Sequence, residues 1–266
     1  MPRVRVHQHV NPLSPYYTQE PAPVDLGEVF ADPSLPLHLD IGCARGRFLL
    51  RMAEAEPGWN YLGVEIRDPL VIEANRLAAE AGLTNLHYRF CNAMLWLDRL
   101  LAEIPEGRLQ MVTIHFPDPW FKKKHAKRRM VNAELVDTIA RALEDEGQIF
   151  IQTDIEALSE EMFDLFRANK RLAEFRDASN PFPVKTEREK AVEEKGGIIF
   201  RAKFAKDPDY ELNRPLDTRF VAIGLVMMTA SLPVAALVDN QYLKYFCGLC
   251  FFASFFVMTK KEKEAA

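Results

Sequence analysis

Leu37-His38-Leu39-Asp40-Ile41-Gly42-Cys43-Ala44-Arg45-Gly46 reads as a strand that stops at a glycine turn. Phe48, Leu49, Met52 and Ala53 follow at helical spacing. The same alternation continues outward. Tyr61-Leu62-Gly63-Val64-Glu65-Ile66 is a second strand, and Asp68-Pro69 opens a helix with an N-cap and a proline at its first position. Leu70, Val71, Ala74, Leu77 and Ala78 form its apolar face, and Gly82 ends it. Residues 85–91 predict a third strand, 94–103 a short helix and 110–114 a fourth strand. Asn132 is placed to cap a helix bearing Leu135, Val136, Ile139 and Leu143, with Gly147 as its stop. Residues 148–153 predict a fifth strand, and Asp154 a cap for the helix of Leu158, Met162, Leu165 and Phe166. Two late strands, about 172–177 and 197–204, have no long helix between them and are expected to pair antiparallel. This order predicts an α/β fold with a doubly wound, mostly parallel sheet.

Ligands of such sheets bind at the carboxyl ends of the strands, and the residues there carry chemistry. Two glycines four apart, Gly42 and Gly46, let the backbone turn tightly and approach a ligand closely. Asp40 precedes them, placed to accept from a ligand ammonium. Glu65 ends the second strand, placed to take both hydroxyls of a ribose. The spacing is not G-x-G-x-x-G, which counts against a dinucleotide. Asp-x-Gly-x-x-x-Gly with an acid ending the second strand fits S-adenosylmethionine better. A structural turn with a capping Asp has the same appearance. Asn92, after the third strand, is placed to hydrogen-bond an adenine edge or to be a loop residue.

The fourth strand runs into His115-Phe116-Pro117-Asp118-Pro119-Trp120-Phe121, then Lys122, Lys123, Lys124, Lys127, Arg128 and Arg129. Residues 112–130 hold six Lys/Arg against one Asp, a local +5 in a chain of net charge -4. The chain is therefore no general polyanion coat, and any polyanion grip is local. The segment sets a carboxylate and an indole beside a phosphate-binding patch, and Trp120 or Phe121 is available to stack on a base or to pack under the loop.

The 266 residues, 48% hydrophobic and 27% charged, suit one large domain with appendages. Four cysteines, Cys43, Cys91, Cys247 and Cys250, make no disulfide framework, and no His/Cys set suggests a metal. No secretory signal is read at the N-terminus, and a cytoplasmic location is expected.

On these segments the chain resembles the bacterial tRNA (guanine-N7)-methyltransferase family, of the TrmB type. The resemblance rests on Val6–Leu13, Asp40–Gly46 with Gly63-Val64-Glu65, His115–Arg129, and Thr186-Glu187-Arg188-Glu189 followed by Glu194-Lys195-Gly196-Gly197. It covers about residues 3–205 and implies a class I S-adenosylmethionine-dependent methyltransferase fold, Rossmann-like. It implies that Asp40, Gly42, Gly46, Glu65, Asn92 and Asp118 bind S-adenosylmethionine, and that Asp118 lies at the methyl-transfer site. Asn92 stands where the family usually has Asp. It further implies that Lys122, Asp154, Thr186, Glu187, Arg188 and Glu189 face a guanosine in the variable loop of tRNA. Lys123, Lys124, Lys127, Arg128 and Arg129 are expected on RNA phosphates. Thr186 and Glu189 are expected on a late loop. An exocyclic-amine methyltransferase and a non-catalytic RNA-binding module are the alternatives.

Five segments are expected: an arm over 1–25, a methyltransferase domain over 26–205, a linker over 206–219, an apolar hairpin over 220–259 and a basic tail over 260–266. Phe220–Val238 is 19 residues without a charge, and Tyr245–Met258 a further 14. As a helix the first run spans about 28 Å, enough for a bilayer core. Basic residues on both flanks favour a membrane hairpin over 220–258 that tethers the domain to the cytoplasmic face; the alternative is an apolar hairpin that packs on the domain or on a partner. A monomer and a homodimer are equally compatible with the chain.

Overall fold

The computed structural model describes residues 10–207, apart from Val24, Asp177 and the side chain of Lys123. The expected linker beyond Asp207, the apolar hairpin, the basic tail and Arg3, Arg5, His7 and His9 of the arm lie outside the described residues.

A seven-stranded sheet forms the centre, with strands β1 (Leu37–Ile41), β2 (Asn60–Glu65), β3 (Leu86–Phe90), β4 (Leu109–His115), β5 (Gln148–Thr153), β6 (Leu172–Glu174) and β7 (Phe200–Lys206). Their order is β3-β2-β1-β4-β5-β7-β6. The first five run parallel, and β7 pairs antiparallel with both β5 and β6. The mostly parallel sheet and its antiparallel end are as the alternation of elements predicts. The chain leaves β1 toward β2 and β3 and later returns to its other side with β4. That reversal creates a crevice at the carboxyl ends of β1 and β4.

Helices α1 (Leu26–Val29), α2 (Arg47–Ala55), α3 (Asp68–Glu80), α4 (Ala93–Ala102), α5 (Ala133–Ala142), α6 (Glu156–Ala168) and α7 (Glu187–Glu193) complete the described secondary structure, with a 3₁₀ helix at Lys123–Arg128. Strand alternation divides the core between two faces. Leu37, Leu39, Ile41, Leu62 and Val64 pack with residues of α1, α4, α5 and α6. Tyr61, Leu86 and Tyr88 face the other way, against Phe48, Leu49, Met52 and Ala53 of α2 and Val71, Ala74 and Ala78 of α3. Each large apolar side chain so buried contributes ~1.5–3 kcal/mol. Cys43 and Cys91 are buried free thiols that fill space on opposite faces. No helix among the described residues is long and apolar enough to cross a membrane.

Three local readings change. Asp154 does not cap α6: Ile155 takes that position, and the Thr153 hydroxyl accepts from its N–H at 3.3 Å. Asp68 lies inside α3, with Arg67 at the cap. Thr186 and Glu189, expected on a late loop, instead cap and open α7, which begins with a full capping box. Thr186 accepts from the Glu189 amide at 3.1 Å and Glu189 accepts from the Thr186 amide at 3.2 Å. The Thr-x-x-Glu signature was legible in the chain.

Tyr88 requires glycine at Gly46 of the turn and at Gly63 of β2. Its hydroxyl donates to the Gly46 carbonyl, and its ring lies where a Cβ on Gly46 or Gly63 would sit, 2.5 Å away in both cases. Gly46 also has φ +69°, a conformation that side chains resist. Gly63→Ala is expected to destabilise the protein by roughly 1–3 kcal/mol through overpacking alone. Urea denaturation checks this, and an unchanged midpoint would mean that the ring yields freely.

Candidate active site

A cavity of about 1390 Å³ opens at the carboxyl ends of β1, β2 and β4. Asp40, Gly42, Glu65, Asn92, Asp118, Asp154, Thr186, Glu187 and Arg188 all line it, so residues distant in sequence meet there. Gly46, Lys122 and Glu189 do not. Gly46 supports the turn from below. Lys122 is exposed at the start of the 3₁₀ helix.

Asp40 is 2% exposed. Its Oδ1 accepts from the Thr113 hydroxyl at 2.8 Å, and Thr113 Oγ1 lies 3.0 Å from His38 Nε2. The single hydroxyl proton is used on Asp40, so the imidazole supplies the proton between His38 and Thr113. Burial raises the Asp40 carboxyl to about 7, with Thr113 opposing and Glu65 adding to the rise. A carboxylate held this way at a cavity wall suits a cationic partner.

Glu65 is fully engaged. Oε1 accepts from the Arg67 amide at 3.0 Å and from Arg67 Nε at 2.9 Å, and Oε2 accepts from the Ala44 amide at 3.0 Å and from Arg67 Nη2 at 2.8 Å. Arg67 also feels the charge of Asp118. One guanidinium thus stands between the two acids that the sequence singled out. Sequence reading missed Arg67, because a lone basic residue after a strand has no periodic or motif signal.

Among the described non-glycine residues, only Ala44, Phe116 and Trp120 have positive φ, at 52°, 48° and 43°. All three line the cavity. Strain in bulky residues such as Phe116 and Trp120 persists only where the surroundings enforce it, and it gathers at functional sites. The Pro-Asp-Pro run between them thrusts Asp118 to an exposed position on the rim. The indole of Trp120 carries the Arg128 guanidinium at 4.9 Å from the ring centroid and meets the His125 ring edge-on. Arg129 donates to the Pro119 carbonyl at 2.9 Å and pairs with Glu161. Arg128 and Arg129, expected on phosphates, therefore brace the loop that presents Asp118. Lys124 and Lys127 remain exposed beside Lys122.

Glu189 departs furthest from its expected place. It is 0% exposed, in a network with Asn180 at 2.8 Å, Arg201 at 2.8 Å and Gln152 at 3.3 Å. Gln152 also donates to His115 Nδ1 at 3.0 Å. Burial works to raise the Glu189 carboxyl, but these donors outweigh it and the net shift is downward. Its role is to anchor the start of α7, which sets Thr186, Glu187 and Arg188 on the rim. There Glu187 pairs with Arg51 at 2.8 Å and Arg47 at 3.2 Å, and Arg188 pairs with Asp154.

Asn92 is buried and caps α4, its Oδ1 accepting from the Met94 amide at 3.2 Å. Its Nδ2 donates to the carbonyls of Pro12 at 2.8 Å and Tyr17 at 3.0 Å. The expected acceptor for an adenine is thus also a donor to the arm.

The family model described as "Putative methyltransferase" matches residues 34–202. A curated tRNA (guanine-N(7)-)-methyltransferase of Trichormus variabilis is 51% identical over 210 residues, which are 77% of this chain and 98% of that protein. One of Synechococcus elongatus is 53% identical over 213 residues, 78% of this chain and 99% of that protein. Among solved structures, the aminoglycoside resistance methyltransferase NpmB1 is similar with a TM-score of 0.47 and 19% identity, over 67% of this chain and 89% of that one.

Proposed function

The chain belongs to the tRNA (guanine-N(7)-)-methyltransferase family, and from that premise we infer that it transfers a methyl group from S-adenosylmethionine to N7 of a guanine in tRNA. The observation that carries the reading is the meeting of Asp40, Glu65 and Asp118 around one cavity beside an exposed lysine cluster.

The residues present fit the cofactor. Asp40 supplies a buried carboxylate for an ammonium and the Gly42 turn a close backbone approach, and Glu65 would take a ribose diol in exchange for hydrogen bonds it makes to Arg67. When bound, S-adenosylmethionine supplies a methyl on a sulfonium, an electrophile that the N7 lone pair takes without prior loss of a proton. No general base is needed. The protein's work is alignment and charge. Alignment alone is capable of ~7–11 kcal/mol of barrier reduction. Asp118 faces the purine as it becomes cationic and accepts from its N1–H or amine. Thr186, Arg188 and Asp154 bound the guanosine, and Phe121, 74% exposed on the cavity wall, offers a stacking face that Trp120, under Arg128, lacks on one side. The target base is in the variable loop.

Incubation of unmodified tRNA with labelled S-adenosylmethionine, followed by nucleoside analysis, tests the reading. 7-Methylguanosine is expected. A methylated exocyclic amine, or no product, would overturn it. Replacing Lys122 and Lys127 together by alanine is expected to reduce the slope of log K against log salt for tRNA by roughly 0.7–0.9 per lysine. An unchanged slope would make this face merely solvated.

We propose further that the uncharged runs 220–238 and 245–258 form a membrane hairpin, supported by their length and basic flanks. Recovery of the full chain in the soluble fraction would overturn this.

A further inference from the structure

The arm is a built wall of the cavity. Val10 and Pro12 line it, next to Asn92, Ala93 and Met94. Residues 11–17 fold into two successive turns, closed by the Ser14 amide on the Asn11 carbonyl at 3.1 Å and the Tyr17 amide on the Ser14 carbonyl at 2.9 Å. Neither turn is rooted in the sheet. The segment is fixed by side chains of the domain: Asn92 on Pro12 and Tyr17, Trp96 Nε1 on the Thr18 carbonyl at 3.3 Å, and Asp68 accepting from the Tyr16 hydroxyl at 3.3 Å.

The chemistry of the Asn92 contacts leaves no freedom in their assignment. Two carbonyls can only accept, so the amide nitrogen faces them. The Met94 amide can only donate, so the oxygen faces it. An aspartate of the same shape would keep the cap and lose both arm contacts, leaving the Pro12 and Tyr17 carbonyls opposite a carboxylate.

We propose that Asn92 is a positioning residue that serves the cofactor through the arm, by holding Val10 and Pro12 as the apolar wall beside the nucleoside. It deepens the methyltransferase reading and rests on it. The side chain spends both amide protons on the chain's own N-terminal segment, while Oδ1, with one lone pair on the Met94 amide, keeps a second for an adenine amine. The wall and the Asn92 oxygen then meet the base together.

The test compares wild type, Asn92→Asp and Trp96→Phe in the full chain. Hydrogen exchange of Leu13–Thr18 reads the anchor without any ligand, and titration with S-adenosylmethionine reads its consequence. Asn92→Asp is expected to speed exchange across the segment and weaken the cofactor about tenfold, raising its KM more than it lowers kcat. Trp96→Phe, outside the cavity, is expected to do the same in smaller measure, and it carries the test if Asn92→Asp does not fold. Unchanged exchange in Trp96→Phe together with wild-type cofactor affinity in the folded variants would overturn the proposal. So would equal or tighter cofactor binding by Asn92→Asp. Failure of the wild type to bind S-adenosylmethionine would overturn the methyltransferase reading instead, while the exchange comparison would still decide whether Asn92 anchors the arm.

Discussion

Replacing Asp118 with alanine is expected to lower turnover by roughly 100- to 1000-fold, the effect typical of removing one preorganised electrostatic group from a reacting centre. In the proposed reaction the purine gains a positive charge as N7 is methylated, and Asp118 is the carboxylate that the strained loop from Phe116 to Trp120 sets at the cavity rim. The loop is expected to keep its shape in the variant, because Arg129 holds the Pro119 carbonyl and Arg128 covers Trp120. Cofactor affinity is expected to change much less, since Asp40 and Glu65 are untouched. Single-turnover assays beside cofactor titration separate the two effects. Near-normal turnover would remove Asp118 from the reaction.

Cofactor affinity is expected to fall as the pH drops through about 7, and Asp40→Asn is expected to lack both the affinity and this dependence. Burial is the main reason that the Asp40 carboxyl is raised from 3.8 to about 7. The sign follows. An acid whose folded value is raised gives the ligand-free protein stability that is complete below about 4 and is lost as the pH rises through about 7. A bound ammonium pairs with the ionised form and reverses that loss. Below about 7 the proton must leave before the pair can form, so affinity falls toward tenfold per pH unit. Titrations across pH 6 to 8 or so check it, and a flat wild-type profile, or wild-type affinity in Asp40→Asn, would separate Asp40 from the ammonium. Thr113, which donates to Asp40, moderates the rise.

Much of this site was readable along the chain because its parts are local. Asp40 and the turn after it, Glu65 at a strand end, and the Pro-Asp-Pro-Trp run each announce themselves by position within one strand–loop unit. Strand periodicity gave the order of elements, and the doubly wound sheet then brought those strand ends together. The Thr186–Glu189 box was equally local, but it was read for a role toward substrate and not for the helix it starts.

What the chain left undecided depends on partners far away in sequence. Asn92 looks the same whether it caps a helix, receives an adenine or holds the arm; only the approach of Pro12 and Tyr17, some 80 and 75 residues distant, assigns its amide protons. Glu189 resembles any exposed helix acid until Gln152, Asn180 and Arg201 close around it. Arg128 and Arg129 belong to a basic run by composition, and only tertiary contacts turn them inward while Lys122, Lys124 and Lys127 stay in solvent. Periodicity and turn chemistry act within a few residues and so determined the fold and the candidate acids. The partner of a buried polar group is chosen by whichever donor or acceptor the folded sheet brings within 3 Å or so, and that only the tertiary structure decided.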